Sequence, residues 1–333
     1  MSPAPALASL EGVRSVLVVK PSSLGDIVHT LPSVHLLKRA HPHLKISWVA
    51  NTEWAPLLAG NPDLDEVILF PRKDFRWPPD LPKLREWFWT TRRVKPDLAL
   101  DFQGLLRSAL IARVSGARAI HCLGDAEPAC RILAHRVVPA VRSGEHSVTR
   151  YLKLVADLGI NTSVPLEFPL PAGEKPPGIA LPERYLLVHP FSRGENKSLP
   201  DECLARLVQE LSPMPVVLAG SAPSSHQPPA NCINLLNQTS LSGLIWLIRH
   251  AHFTVSVDSG PMHIAAAITD RLLGIHNWSN PLLVGPYNSG AWVWKNGSLL
   301  QVRDLTPENT TGSKNFGPGH VPQLVEFLKA WAL

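Results

Sequence analysis

The sequence has few of the features that mark membrane-spanning or disulfide-stabilised proteins. Its apolar runs stop well short of the roughly 18 residues that a transmembrane helix needs, so no spanning helix is predicted. The first residues lack a basic stretch before an apolar core, and we expect no signal peptide. The four cysteines show no CxxC pair and no zinc-finger spacing. We therefore predict reduced, buried cysteines and a cytoplasmic protein.

Several catalytic and nucleotide-binding motifs are also missing. There is no GxGxxG dinucleotide fingerprint and no GxxxxGKS/T phosphate loop. The GxSxG motif of serine hydrolases and the HExxH motif of zinc proteases are absent as well. Asp63 and Asp65 form a DxD, which holds a divalent cation in some sugar transferases. They follow a turn-forming Asn-Pro pair and precede a strand, so a solvated turn is predicted instead, with no metal site and no cofactor.

The sequence does contain enough apolar material for two globular domains. The chain has 333 residues, of which 45% are hydrophobic and 18% charged, so it can bury a substantial core. A proline-rich stretch at residues 166–182 has the composition of a linker. We predict an N-terminal domain at residues 1–170, a linker at 171–183 and a C-terminal domain at 184–333. The net charge of +5 indicates an anionic partner: a nucleotide, a phosphorylated substrate, a membrane surface or nucleic acid.

Residues 16–31 predict the first strand, turn and helix of an open α/β sheet. The unbroken apolar run at residues 16–19 is typical of a strand buried on both faces. A polar turn then leads to Asp26, after which apolar residues follow helical spacing. Ligands bind at the carboxyl ends of strands in such sheets, so Asp26 lies where a catalytic residue would be expected. Asp also commonly caps a helix, so these residues alone leave both interpretations open.

Other turns follow predicted strands in both halves. The strand at residues 97–101 leads into a turn that carries Gln103 and Arg107. The strand at residues 253–257 leads into residues 258–263, DSGPMH, at a helix N-terminus, which is a ready site for an anion. A polar turn earlier in the second half carries Lys197. Residues 276–320 are rich in Asn, Gly, Ser and Trp, and we expect them to be mostly loops.

Residues 71–95 are the most basic and aromatic part of the chain, and they include Arg76 and Trp77. One interpretation is single-stranded nucleic-acid binding through stacking and charge. Another is contact between an amphipathic surface and anionic lipid. A third is an ordinary solvated helix with Trp87 in the core. Because no RNA-binding signature is present, we favour an anion-facing surface, with lipid phosphate ahead of nucleic acid.

These motifs together resemble glycosyltransferase family 9, which includes the lipopolysaccharide heptosyltransferases. The residues that carry the resemblance are VLVVKPSSLGDIVHTLP at 16–32, DFQGL at 101–105 and VSVDSGPMHIAAA at 255–267. The pattern is most similar to heptosyltransferase I, the enzyme type that adds the first heptose of the inner core. The resemblance implies an α/β fold of the GT-B type, with two facing Rossmann-like domains, parallel sheets and an interdomain cleft.

The resemblance also implies a reaction and its partners. The acceptor would bind the first domain and the nucleotide-sugar donor the second. The enzyme would transfer heptose from ADP-heptose to a Kdo sugar on lipid A, with inversion and without a metal. This anionic glycolipid acceptor implies peripheral contact with the cytoplasmic face of the inner membrane, and no nucleic acid is expected as a partner.

Individual residues receive roles from the same resemblance. Asp26 would be the base that takes a proton from the acceptor, while Lys197 and the amides of residues 259–263 would stabilise the departing diphosphate. Asp258 would hold sugar hydroxyls and His263 would lie near the phosphates. The implied donor-side residues are Ser192, Lys197, Asp258, Ser259, Gly260, Pro261, Met262 and His263. The implied acceptor-side residues are Ser22, Ser23, Gly25, Arg72, Lys73, Gln103 and Arg107.

Two departures from the family pattern lie on the donor side. Leu199 stands where family members usually carry tryptophan, and residues 276–281 replace a Gly-Pro-Thr stretch. A transferase with another donor or acceptor, or a sugar-nucleotide-binding protein without catalysis, therefore remains an alternative. The interpretation as a nucleic-acid-binding protein depends only on the basic segment at residues 71–95. By similarity to two-domain transferases, we also expect the last helix, residues 321–331, to pack back on the first domain.

Overall fold

The computed structural model describes residues 10–74, 80–140, 144–194, 196–222 and 227–332. The chain forms two units, Met1–Pro171 and Ala172–Leu333, each built around its own sheet. Within the described part of the chain, no helix is both long enough and apolar enough to cross a bilayer.

The first unit is a six-stranded sheet in which all neighbouring strands run parallel. The strand order is β3-β2-β1-β4-β5-β6, which is the order of Rossmann-type folds. The strands are β1 (Ser15–Val19), β2 (Lys45–Asn51), β3 (Glu66–Phe70), β4 (Leu98–Asp101), β5 (Ala119–Leu123) and β6 (Arg136–Val138). The helices are α1 (Leu24–Ala40), α2 (Leu81–Arg92), α3 (Leu106–Val114), α4 (Pro128–Leu133) and α5 (Ser147–Ala156).

The apolar run of β1 explains its central place in this sheet. Residues 16–19 are each at most 1% exposed, and because side chains alternate along a strand, both faces of β1 are covered. In the pairing of β1 with β4, Val19 lies opposite Asp101. The two turns that follow these strands, which carry Asp26 and Gln103, therefore lie at the same edge of the sheet.

The second unit repeats this plan. Its strand order is β13-β12-β11-β10-β7-β8-β9. From β9 to β12, this order matches that of the first unit. Neighbouring strands from β9 to β12 run parallel, and β13 pairs antiparallel with β12. The strands are β7 (Leu186–His189), β8 (Val216–Gly220), β9 (Ile233–Leu236), β10 (Phe253–Val257), β11 (Leu272–His276), β12 (Trp292–Lys295) and β13 (Ser298–Gln301). The helices are α6 (Asp201–Leu211), α7 (Leu241–His250), α8 (Gly260–Ile268), α9 (Pro281–Val284), α10 (Pro307–Thr310) and α11 (Val321–Ala332).

The expectation that residues 276–320 are mostly loops is wrong at residues 292–301, where β12 and β13 form a hairpin. Trp294 is fully buried and lies opposite Leu299 in the ladder. The turn residues Asn296 and Gly297 have φ of 55° and 93°, as a two-residue hairpin turn requires. The Asn-Gly pair is itself a hairpin signal, and the abundance of loop-forming residues around it led to the wrong prediction.

The last helix, α11, packs against α6 within the second unit. Its apolar side chains join the core of that unit through Val321, Leu324, Val325 and Leu328. This face of α11 is therefore part of the core of the second unit. The expected packing of the helix on the first domain stays a prediction.

Gly220 ends β8 in a conformation that favours glycine. Its φ is 113°, and a Cβ there would lie 2.2 Å from Nε2 of the buried His189 ring. We expect Gly220→Ala to lower the free energy of unfolding by about 3 kcal/mol, because backbone strain and overpacking act together. In the control Gly178→Ala, φ is also positive at 71° but no described atom lies within 4 Å of the new Cβ. Urea denaturation should show a loss of about 1 kcal/mol for this control, and equal losses would contradict the steric argument.

Candidate active site

Asp26 is the third residue of α1, and its carboxylate closes the turn that follows β1. The backbone N–H of Ser23 donates to Asp26 Oδ2 at 3.1 Å, and the Ser23 hydroxyl donates to the same oxygen at 2.7 Å. Gly25, which lies between Ser23 and Asp26 in the sequence, is buried in the first turn of the helix. Asp26 thus caps α1, as one interpretation predicts. Its side chain is nevertheless 34% exposed, so capping leaves the carboxylate accessible to a ligand.

Two residues outside the predicted sites surround the other oxygen of Asp26. Tyr151, from α5, donates its hydroxyl to Asp26 Oδ1 at 2.7 Å. Lys20 follows β1 and is 2% exposed, and its Nζ lies 3.8 Å from the same oxygen. That ammonium donates to the Tyr151 hydroxyl at 2.8 Å and to the Phe102 carbonyl at 3.2 Å. Asp26 therefore belongs to a polar network that reaches into the core.

This network sets the charge of Asp26. Burial alone would raise the pKa of Asp26, but the Lys20 ammonium and the hydrogen bonds from Ser23 and Tyr151 outweigh burial and hold that pKa well below its usual range. The carboxylate is therefore ionised at neutral pH. Because folding lowers the pKa, ionised Asp26 stabilises the fold above the ordinary Asp pKa of about 3.9, and this contribution is lost as the pH falls through the folded pKa.

Gln103 meets the turn after β1 from the neighbouring strand. Its Oε1 accepts a hydrogen bond from the backbone N–H of Ser22 at 3.2 Å. The turn that carries it is held by buried Asp101, which accepts from the N–H groups of Gln103 and Gly104 at 2.9 Å and from the Ser108 hydroxyl at 2.8 Å. Burial raises the pKa of Asp101 despite these bonds. The two predicted acceptor-side turns are thus brought into contact.

Arg72, Lys73 and Arg107 give the first unit a cationic surface. Arg72 and Lys73 are exposed after β3, and Arg107 is half-buried in the first turn of α3. Burial and the positive charge of Arg72 lower the pKa of Arg107, while the carboxylate of Glu127 opposes the shift. The guanidinium groups of Arg72 and Arg107 are thus close enough to repel each other. An anion bound beside them would relieve this repulsion.

The predicted basic helix is α2. Trp87 is partly buried against the core, and its Nε1 donates to a carbonyl of β3 at 2.9 Å. By contrast, Phe88 and Trp89 are 39% and 53% exposed. Arg76 and Trp77 lie outside the described residues. Placing Trp87 against the core is therefore correct, but the helix also presents an exposed aromatic surface.

On the donor side, Lys197 and Asp258 form an ion pair at the carboxyl ends of β7 and β10. Lys197 Nζ donates to Asp258 Oδ2 at 2.7 Å, and the Ser192 hydroxyl donates to the Asp258 carbonyl at 2.9 Å. Asp258 is 8% exposed and Lys197 is 22% exposed. Burial would raise the pKa of Asp258, but the charges of His276 and Lys197 and the hydrogen bond from Lys197 hold it below its usual range.

The N-terminus of α8 lies directly after this ion pair. Ser259 is the residue before the helix, and its hydroxyl lies 3.3 Å from Nδ1 of His189. Gly260 and Pro261 occupy the first turn and are partly exposed, which leaves the positive end of the helix dipole accessible. His263 is 8% exposed. Met262 is fully buried, so a ligand would meet its backbone rather than its side chain.

Asn277 and Trp278, which follow β11, extend the donor side beyond the predicted residues. The Asn277 amide donates to the Asn196 carbonyl at 2.5 Å and so ties this turn to the one that carries Lys197. The Trp278 ring is 54% exposed, and its centre lies 4.7 Å from Lys197 Nζ. Fully buried Lys295 donates to the Asn277 carbonyl at 2.9 Å. The sequence shows that residues 276–281 depart from the family pattern. It does not predict that Trp278 contacts Lys197.

The DxD sequence is engaged within the fold. Asp63 is buried and lies 2.9 Å from Nδ1 of His35, while Asp65 accepts from the N–H of Ile46 at 2.8 Å and from Lys38. The prediction of a turn is therefore correct, but Asp63 is not solvated as expected. In the described ranges, no three His, Cys, Asp or Glu side chains converge to hold a metal ion.

Two parallel-dominated, Rossmann-like sheets, with polar side chains gathered at the carboxyl ends of their central strands, define an α/β protein of the GT-B class. Among solved structures, E. coli heptosyltransferase WaaC with ADP matches with a TM-score of 0.75 and 23% identity, over 95% of this chain and 99% of that chain. The same enzyme with ADP-2-deoxy-2-fluoro heptose matches with a TM-score of 0.72 and 22% identity, over 94% of this chain and 99% of that one. The predicted fold class is confirmed.

The sequence comparisons place the chain in a family. Residues 87–309 match the family described as glycosyltransferase family 9 (heptosyltransferase). The chain is 30% identical over 297 residues to lipopolysaccharide heptosyltransferase 1 of Pseudomonas aeruginosa. The match covers 82% of this chain and 81% of that protein. The chain belongs to glycosyltransferase family 9 and is a glycosyltransferase. The resemblance seen in the motifs is therefore confirmed.

Proposed function

We propose that this glycosyltransferase moves heptose from ADP-heptose to the Kdo sugar of a lipid A-type inner-core acceptor of lipopolysaccharide, with inversion and without a metal. The observation that carries the proposal is the Lys197–Asp258 ion pair beside the N-terminus of α8. Two similarities support it. The Pseudomonas aeruginosa relative is named a lipopolysaccharide heptosyltransferase, and the similar E. coli enzyme was solved with ADP and with an ADP-heptose analogue.

The donor side suits a nucleoside diphosphate sugar. Lys197 supplies a positive charge, and the first turn of α8 supplies backbone N–H groups at the positive end of a helix dipole. When the bond between the anomeric carbon and the diphosphate breaks, its electron pair moves to the diphosphate oxygen. These groups stabilise that developing charge. Asp258 is placed to accept hydrogen bonds from sugar hydroxyls, and His263 lies in the same turn, near the expected position of the phosphates.

Asp26 supplies the base for the acceptor. In the proposed step, an acceptor hydroxyl gives its proton to the Asp26 carboxylate while its oxygen bonds to the anomeric carbon opposite the diphosphate, which inverts the configuration there. Ser22 and Gln103 hold the turn that presents this carboxylate. Arg72 and Arg107 suit the carboxylate and phosphate groups of an anionic glycolipid.

The positive charge that this chain itself provides supports metal independence. In transferases that use a DxD, a divalent cation neutralises the departing diphosphate. Here the Asp63 and Asp65 carboxylates hold neighbouring parts of the fold, and Lys197 with α8 provides the positive charge instead. Transfer should therefore continue unchanged in EDTA.

Nucleotide titration tests the donor assignment. Isothermal titration of the protein with ADP, GDP, UDP and dTDP in EDTA should show selective binding of ADP, and ADP-heptose should then transfer heptose to Kdo-lipid A. Preference for another nucleotide would overturn the heptose assignment and would point to the altered turn at Trp278. Binding of none of the four would favour a degenerate family member.

We also propose that α2 contacts the anionic cytoplasmic face of the inner membrane, where the acceptor lipid lies. Leu81, Phe88 and Trp89 are 65%, 39% and 53% exposed, and Arg85 lies on the same side of the helix as Leu81 and Trp89. Apolar side chains beside basic ones fit the boundary between acyl chains and acidic headgroups. This surface favours lipid over nucleic acid because its exposed apolar residues include aliphatic as well as aromatic side chains.

Vesicle binding tests this membrane contact. We expect Trp89→Ser to weaken binding to vesicles of phosphatidylglycerol and phosphatidylethanolamine by about fivefold, because it removes an apolar anchor. Ile132→Ser is the control, since Ile132 lies in α4 and is 80% exposed. Equal weakening in both variants would contradict a specific role for α2.

A further inference from the structure

We propose that Lys20 and Tyr151 are positioning residues that orient Asp26 so that one lone pair of its Oδ1 oxygen is directed to the acceptor hydroxyl. This inference rests on the proposed function, because it assumes that Asp26 is the base. Neither residue is part of the sites that the motifs indicated. Both act through contacts with Asp26 rather than through contact with a substrate.

The hydrogen bonds around Asp26 account for most of its accepting capacity. A carboxylate oxygen has two lone pairs in the plane of the group. Oδ2 accepts from both the N–H and the hydroxyl of Ser23, at 3.1 and 2.7 Å, which uses both of its lone pairs. Oδ1 accepts from the Tyr151 hydroxyl at 2.7 Å, which uses one. Among the described residues, no further group donates to the remaining lone pair on Oδ1, and this is where an acceptor hydroxyl would donate.

The direction of the Tyr151 hydrogen bond is fixed by Lys20. An ammonium can only donate, so the bond from Lys20 Nζ to the Tyr151 oxygen, at 2.8 Å, leaves the phenolic proton for Asp26. The chain of donation therefore runs from Lys20 through Tyr151 to Asp26 Oδ1. Each donor in such a chain polarises the next, which strengthens the final bond. Tyr151 is thus held in the role of a donor, and Asp26 in the role of an acceptor.

The burial of Lys20 favours an electrostatic purpose for its charge. Lys20 is 2% exposed, and a buried ammonium is costly unless it is paired and hydrogen-bonded. Here the Phe102 carbonyl and the Tyr151 hydroxyl accept from it, and the Asp26 carboxylate lies 3.8 Å away. A packed apolar side chain of similar volume commonly serves stability equally well or better. An electrostatic effect of the Lys20 ammonium on Asp26 explains why a charged residue is buried at this position.

In the transfer step, the acceptor proton moves to the open position on Asp26 Oδ1, and the acceptor oxygen uses the released electron pair to bond to the anomeric carbon. The bond from that carbon to the diphosphate breaks, and the diphosphate carries the electron pair away. Lys20 and Tyr151 exchange no proton in this step. Their effect is to keep Oδ1 aimed at the hydroxyl and to extend the pH range in which Asp26 is ionised to lower pH.

Tyr151→Phe removes only the hydroxyl and should lower kcat about tenfold, the effect expected for one lost hydrogen bond to a charged group, with the KM for the donor unchanged. Lys20→Met/Tyr151→Phe should lower kcat further. Tyr185→Phe is the matched control, because buried Tyr185 donates its hydroxyl to the Leu247 carbonyl in the second unit. It should leave both kcat and KM unchanged.

A titration without substrate separates positioning from a merely structural role. In protein labelled with ¹³C at aspartate carboxyls, the Asp26 signal of the unmodified chain should titrate below the range of ordinary aspartate carboxyls. With Lys20→Met/Tyr151→Phe, burial is no longer opposed by these two groups, so the pKa of Asp26 should rise above that of the unmodified chain, and the acid limb of the kcat profile should move to higher pH with it. Asp26→Asn assigns the signal.

The two possible failures give different results. If Tyr151→Phe and the double variant leave both the Asp26 titration and the pH profile unchanged while Asp26→Asn is inactive, this inference is wrong and the proposed base stands. If Asp26→Asn remains active, the proposed base is wrong and the positioning role is overturned with it, whatever the carboxyl titration shows.

Discussion

Asp26→Asn is expected to lower kcat by about 10³-fold, within the range that general bases contribute. Asparagine has nearly the same shape, and its side-chain oxygen can still accept from Ser23, so the cap of α1 should be retained. The amide is not a base and cannot take the acceptor proton. Steady-state kinetics with ADP-heptose and a Kdo-lipid A acceptor measure the loss, and isothermal titration should show unchanged affinity for ADP.

Asp65→Asn is the matched control for this experiment. Asp65 lies in the same unit, is 45% exposed, and accepts hydrogen bonds from a backbone N–H and from Lys38, much as Asp26 accepts from Ser23. Its replacement should leave kcat within about twofold of the unmodified enzyme, as expected for a surface change away from the site. An Asp26→Asn enzyme that turns over at the unmodified rate would show that another group accepts the proton.

The second large effect is expected for Lys197→Met, which should lower kcat/KM by about 10³-fold and the affinity for ADP by about tenfold or more. The side chain keeps its length but loses the charge that is proposed to face the departing diphosphate, and single electrostatic contacts of this kind contribute about 3–4 kcal/mol to the barrier. The substitution also leaves Asp258, which is 8% exposed, without its ion-pair partner. The pKa of Asp258 should rise, and the protein should melt at a lower temperature.

Lys197→Met/Asp258→Asn separates these two consequences. Without a buried unpaired carboxylate, the double variant should recover most of the melting temperature lost by Lys197→Met. Its kcat/KM should remain low, because neither substitution restores a positive charge beside the diphosphate. Recovery of activity together with stability would mean that Lys197 serves only to balance Asp258.

Local pattern was sufficient to predict the elements that hold Asp26. The apolar run at residues 16–19 and the helical spacing after Asp26 need no information from elsewhere in the chain, and the structure has β1 and α1 there. The strand order is different in kind, because parallel pairing of β1 with β4 joins segments about 80 residues apart in the sequence. The sequence analysis predicted no strand order, and the family resemblance implied only Rossmann-like domains with parallel sheets.

The contacts of Lys20 and Tyr151 show where sequence reasoning stops. Lys20 follows an apolar strand and has the pattern of the first exposed residue of a turn, yet it is buried. Its partner Tyr151 is 131 residues away in the sequence and carries no local motif. The hairpin at Asn296 is a different case, because its turn signal was present and was outweighed by the composition around it.

The ion pair between Lys197 and Asp258 has a consequence for the end of each catalytic cycle. Under the proposed function, a bound nucleoside diphosphate would share the Lys197 ammonium with the Asp258 carboxylate, which lies 2.7 Å from it. Asp258 would therefore compete with the spent nucleotide for the Lys197 ammonium. As the nucleotide departs, the ammonium regains its full interaction with Asp258, which offsets part of the interaction that is lost. The carboxylate proposed to hold sugar hydroxyls would thus also limit product inhibition.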